Sequence, residues 1–269
     1  MIILNNLTYV YRKGAEALSN ASASIGGGIY LLLGENGAGK TTLLHIIAGL
    51  LYPSKGECEL DGSPVSARQP ETMRRIFFLG DNMKFPFISI EEMVKCHAVF
   101  YPTFDAEMLQ RNLERFGMTG RERLSKLSLG NRHKAQLAYA LSLRTEVLLF
   151  DEPANGLDIP SRQQLQTMIA ECVNEEQTVI VSTHIVSDLR NLYDGVLVLS
   201  RGKLLLADTA DSLLGRVSFT VTSVPPVNPL YMERRFNQFH AIQRVDDAEE
   251  SADIDYELLF NALHHNVKL

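Results

Sequence analysis

Residues 29–50 read "IYLLLGENGAGKTTLLHIIAGL", and this stretch decides the fold. Five apolar residues have the length and composition of a buried strand, and the residues after Thr41 carry apolar side chains at helical steps. Between them, Gly34 to Thr41 fits G-x-x-x-x-G-K-[ST]. A strand, a glycine-rich loop and a helix in this order form the context in which that pattern cradles phosphate. The loop of Gly34, Glu35, Asn36, Gly37, Ala38 and Gly39 can fold tightly, so that backbone N–H groups converge on an anion. Lys40 then supplies charge to the β- and γ-phosphates, the Thr41 hydroxyl can ligate Mg²⁺, and Thr42 continues the helix start.

Further apolar runs at 75–80, 146–151, 178–183 and 195–200 repeat the strand signal. Their near-continuous hydrophobicity predicts a parallel sheet covered on both faces, hence an α/β fold. "VLLFDEP" at 147–153 ends such a strand in two acids. Beside a phosphate loop, Asp151 would hold Mg²⁺ and Glu152 would polarise a water for in-line attack on the γ-phosphate. His184 follows another strand. A lone histidine there is more often structural, yet its strand could neighbour Asp151 and bring an imidazole to the γ-phosphate.

A second phosphate-like feature stands at 126–141, "KLSLGNRHKAQLAYAL", where Ser128 and Gly130 lie at the start of a helical run. Between Ser89 and Gly130 the strand signal gives way to helical periodicity, predicting a helical insertion over about 89–130. After Gly215 the character changes again. A strand-like "VSFTVTSV", a proline-rich turn and an acidic run before a short helix predict a small β/α appendage over 216–269.

Hydrophobic residues make up 45% and charged residues 22%, the balance of a globular protein with a sizeable core. The formal net charge of −6 lends nothing to nucleic-acid binding, and no nucleic-acid partner is expected. Three widely spaced cysteines give neither a CxxC pair nor a disulfide framework, so reduced thiols are expected. The N-terminus lacks the pattern of a signal peptide, and no apolar run reaches about 18 residues, so no membrane span is expected.

The ordered set "GENGAGKTT", "LSLGNRHK", "LLFDEPANGLD" and "STH" resembles the ATP-binding subunit of ABC transporters, over about residues 1–215. That resemblance implies a RecA-like core sheet, an antiparallel β subdomain and a helical insertion, with ATP and Mg²⁺ bound. It also implies that Ser128 and Gly130 bind ATP held by a second subunit, two chains sandwiching two nucleotides head to tail. In "LTYVYRKG" it sets Tyr11 against the adenine ring, with Tyr9 the alternative register. Asp158 of "NGLD" would cross the dimer interface. Leu129 and Asn131 depart from the usual signature, and Asp81 stands where the family offers a glutamine for Mg²⁺; a shift of one residue would substitute Asn82.

The insertion is similar to that of ABC-2-type exporter ATPases, especially the YtrB-like group. This implies a cytoplasmic motor, peripheral at the inner face of the membrane through a separate ABC-2-type permease, and paired with its own copy or a paralogue. Phe85, Phe87, Phe100, Tyr101 and Phe104 would either anchor that partner or fill the insertion's own core. The rival class is a single-cassette ABC ATPase that transports nothing, such as the iron–sulfur assembly ATPase.

Overall fold

The structure, a computed structural model, describes residues 1–12, 14–81, 88–183, 192–245 and 253–269. Its centre is a six-stranded sheet in the order β10-β9-β3-β8-β7-β6. The strands are β3 (Gly28–Leu33), β6 (Ile76–Leu79), β7 (Val147–Asp151), β8 (Thr178–Ser182), β9 (Gly195–Ser200) and β10 (Lys203–Thr209). All pair in parallel except β10, which runs antiparallel along the β9 edge. β3 and β7 to β9 are buried along their full length, as their unbroken apolar sequences require.

Alternation along each strand divides the core. Ile29, Leu31 and Leu33 face one hydrophobic cluster, and Tyr30 and Leu32 face the other. The second cluster is closed by α1 (Lys40–Ile47) and by an antiparallel sheet in the order β2-β1-β4-β5. That sheet comprises β1 (Ile2–Val10), β2 (Glu16–Ile25), β4 (Lys55–Leu60) and the short β5 (Ser63–Pro64). Helix α2 (Pro70–Met73) precedes β6, and α3 (Ile90–His97) and α4 (Ala106–Arg115) follow it in the insertion.

Over the first cluster lie α4, α5 (Leu129–Ser142) and α6 (Ile159–Cys172). Ser89 opens α3 with a capping box completed by Glu92, and Asp105 caps α4, so both insertion helices start where a side chain satisfies their free N–H groups. Tyr101 packs against Phe77 and Phe104 against Tyr139, so both rings are half-buried against the core. Phe100 is 66% exposed beside Val99 at 73%. Phe85 and Phe87 lie outside the described residues.

Beyond α7 (Ala210–Leu214), the C-terminal segment forms an antiparallel sheet, β11-β13-β12, and α8 (Tyr256–His264). Its strands are β11 (Val217–Thr222), β12 (Tyr231–Arg235) and β13 (Gln238–Arg244). Val217, Ile242, Leu258, Leu259 and Leu263 belong to the same cluster as Val196 and Val198 of the central sheet. The appendage thus completes the core that it covers. Leu259→Ala, at a side chain with no exposed surface, is expected to lower stability by about 2–5 kcal/mol. In urea the loss should appear as an earlier midpoint of the main transition; an unchanged main transition would mean that the appendage melts separately.

Among the described residues, no helix is long and apolar enough to cross a membrane. Cys58, Cys96 and Cys172 are free thiols.

Candidate active site

The loop between β3 and α1 sits at the carboxyl end of the central sheet, beside the ends of β7 and β8. Parallel sheets bind ligands at this edge, where helix N-termini and loops converge. Two glycines are fixed by sterics. A Cβ on Gly39, whose φ is +106°, would meet the Ala17 carbonyl oxygen at 2.3 Å, and one on Gly34 would lie 2.5 Å from the Leu199 carbonyl oxygen. Any side chain at either position would push the loop off the sheet.

Lys40 folds back into this loop. Its ammonium donates to the Gly34 carbonyl at 2.7 Å and to that of Glu35 at 3.3 Å, and only 7% of the residue is exposed. Burial draws its pKa below the ordinary lysine value, opposed by the charges of Glu152 and Asp151. The Thr41 hydroxyl donates to Asp151 Oδ2 at 2.6 Å. This joins the first turn of α1 to the end of β7 across 110 positions of sequence.

Ser182, fully buried at the end of β8, orders both acids. Its hydroxyl donates to Asp151 Oδ1 and accepts from the Glu152 N–H at 3.1 Å, while the Ser182 carbonyl accepts from the same N–H at 3.1 Å. Glu152 is held at φ +53°, a left-handed conformation uncommon for a residue with a Cβ. A polar residue closing an apolar strand was the sequence signal for Ser182.

Tyr11 is 44% exposed; its hydroxyl lies 3.0 Å from Thr42 Oγ1, and its ring stands edge-on to Tyr9. Tyr11, Glu35, Asn36, Gly37, Lys40 and Thr42 line a cavity of about 670 Å³, with Asp81, Asp151 and Glu152 on its other side. His45 and Phe78, packed edge to face, also line it and carried no motif in the sequence. Burial lowers the His45 pKa, opposed by the charge of Asp151.

Ser128 and Gly130 are not among the residues lining this cavity. Ser128 caps α5, accepting from the Asn131 N–H at 3.3 Å, and the neighbouring Leu129 is exposed. Asp158 caps α6 through the Ser161 N–H at 3.0 Å, and its hydrogen bonds from Ser161 hold its carboxyl below the usual carboxylate range. Asp81 accepts from the Asn155 side-chain amide at 3.2 Å, so its carboxylate is engaged at the cavity. At the far side, the His264 imidazole of α8 comes within 4.0 Å of the Glu35 carboxylate. His184 and Asn82 lie outside the described residues.

One cavity therefore joins the phosphate loop after β3, a buried lysine and two acids at the end of β7. The family model for ABC transporters matches residues 18–155, the segment that supplies all of them except Tyr11. The chain belongs to the ABC transporter family. The ABC transporter ATP-binding protein NatA of Bacillus subtilis is 32% identical over 210 residues, covering 75% of this chain and 85% of that protein. The bacitracin transport ATP-binding protein BcrA of Bacillus licheniformis is 32% identical over 186 residues, covering 66% of this chain and 60% of that one. The dimeric structure of MJ0796, a bacterial ABC transporter cassette, shares the fold, with a TM-score of 0.67 at 23% identity over 78% of this chain and 98% of that one. This ABC chain is an ATP-binding, ATP-hydrolysing cassette.

Proposed function

We propose that the chain is the ATP-hydrolysing motor subunit of an exporter, driving a separate ABC-2-type membrane permease from the cytoplasmic side. The observation that carries this reading is the split of the motifs. Lys40, Thr41, Asp151 and Glu152 share one cavity, whereas Ser128 and Gly130 present a capped helix N-terminus elsewhere. A second chain, a copy or a paralogue, supplies that second cradle, so two subunits sandwich two nucleotides head to tail. The similarity to transport ATPases, one of them named for bacitracin, supports a transport role over a non-transport cassette. The helical insertion supports the exporter class, and its exposed Val99 and Phe100 offer the permease an apolar contact.

In this reading Tyr11 stacks on the adenine, and residues 34–42 wrap the phosphates at the positive end of α1. Lys40, desolvated in the protein alone, regains an anionic partner when the phosphates enter. Among the described residues no cluster of three His, Cys, Asp or Glu side chains could hold a metal ion alone. The Thr41 hydroxyl, Asp151 and Asp81 are nonetheless hard oxygen donors, which suits a Mg²⁺ bound mainly through nucleotide phosphates and water. Bound there, Mg²⁺ would neutralise charge on the β- and γ-phosphates. Glu152, oriented by its anchored N–H, accepts the proton of the attacking water, and His184 contacts the γ-phosphate. Asp158 contributes across the dimer interface.

The reading is tested by mixing two inactive variants. Lys40→Ala lacks one cradle and Ser128→Arg blocks the other, so each should be inactive alone. A mixed dimer holds one site in which both cradles are intact. Phosphate release should therefore return on mixing. Folded variants that remain inactive at every ratio would contradict the sharing of sites between two copies of this chain.

A further inference from the structure

The turn after β7 is wedged between the signature helix α5 and the cavity. Asn155 N–H donates to the Glu152 carbonyl at 3.1 Å, and Leu157 N–H donates to that of Ala154 at 3.2 Å. Gly156, at φ +73°, turns its carbonyl oxygen towards α5, so a Cβ on Gly130 would lie 3.3 Å from it. Gly130 thus serves close packing within its own chain as well as the exposed helix start. The His133 imidazole Nδ1 donates to the Asn155 carbonyl at 2.8 Å, and the Asn155 side-chain amide donates to Asp81 Oδ1 at 3.2 Å. The space left among Asp81, His133 and Glu152 is about 10 Å³, room for one water at most.

We propose that Asn155 is a positioning residue that holds the Asp81 carboxylate at the nucleotide cavity, and that His133 fixes Asn155 in turn. Asp81 shares this cavity with Asp151 and Glu152, so three carboxylates repel one another across it. The Asn155 amide offsets that repulsion for Asp81 and keeps it facing the cavity. Because the contacts are close-packed, a displacement of the α5 N-terminus reaches Asp81 through one turn. The signature end of the chain, which meets the second subunit, is thereby linked to the acid beside its own nucleotide.

This inference rests on the reading of Asp81 as a ligand on the metal side of the site. That reading makes ATP binding strongly dependent on Mg²⁺, since an extra carboxylate repels the γ-phosphate until the ion is present. The quantity to measure is the ratio of affinities for a fluorescent ATP analogue with Mg²⁺ and with EDTA. Asp81→Gln should shrink the ratio, and Asn155→Ala should shrink it about three- to tenfold, the size of a net side-chain hydrogen bond. The double variant should show no further loss. His133→Ala should shrink the ratio as well, and His133→Gln, which keeps a donor, should restore it. Thermal melting checks that each variant is folded. A reduced ratio in Asp81→Gln with a wild-type ratio in Asn155→Ala would overturn the inference and leave the parent reading standing. Additive losses in the double variant would overturn it too. A wild-type ratio in Asp81→Gln would remove the metal-side reading and the inference together.

Discussion

Lys40→Ala should abolish ATP turnover in a protein that still folds. The ammonium is almost fully withdrawn from solvent and, among the described residues, hydrogen-bonded to the neutral Gly34 and Glu35 carbonyls of its own loop. Its burial is a cost to the nucleotide-free protein that an arriving phosphate offsets. Losing a charge-assisted contact should weaken ATP binding by about 1.5–3 kcal/mol, roughly 10- to 150-fold. A further loss falls on the chemical step, because the transferred group spreads charge that Lys40 is placed to stabilise. Equilibrium binding and single-turnover rates separate the two losses. Near-normal turnover in folded Lys40→Ala would remove the phosphate loop from the account.

Glu152→Gln should separate binding from chemistry. The amide keeps the size of the side chain, and the left-handed backbone and the N–H bonds to Ser182 are indifferent to the change. What disappears is the basic carboxylate. General-base catalysis is worth about 10²–10⁴-fold, so turnover should fall by that factor while ATP affinity is retained. Wild-type turnover in this variant would reassign the base, and a parallel loss of affinity would mean that Glu152 holds the nucleotide.

The central sheet was legible because buried parallel strands leave an unbroken apolar run. The runs at 29–34, 75–80, 146–151, 178–183 and 195–200 became β3, β6, β7, β8 and β9 within a residue or two at each end. The antiparallel strands left weaker traces. The burial of β4 is confined to its last residues, and β1 changes register three times along β2, so neither carries a clean two-residue period. The hairpin of β12 and β13 gave no signal of its own, because its polar residues find partners in the fold: Glu233 pairs with Tyr231 and Arg235 of its own strand and with Asn261 of α8.

At the site, local motifs were readable and long-range partners were not. The phosphate loop and the paired acids declare themselves within eight residues. By contrast, Ser182 meets Asp151 across 31 positions, Asn155 meets Asp81 across 74, and Thr41 meets Asp151 across 110. Only the sheet order brings such pairs together. A local duty can also stand beside an implied one: Asp158, to which the resemblance gives an interface role, caps α6 within its own chain, as any Asp at that place would.

The most direct test of the head-to-tail reading is the mass of Glu152→Gln by light scattering at saturating ATP and Mg²⁺. A variant that binds ATP and cannot hydrolyse it should accumulate the nucleotide sandwich. Twice the monomer mass is expected with ATP, and the monomer mass with ADP. A protein that stays monomeric with ATP fully bound would contradict that reading.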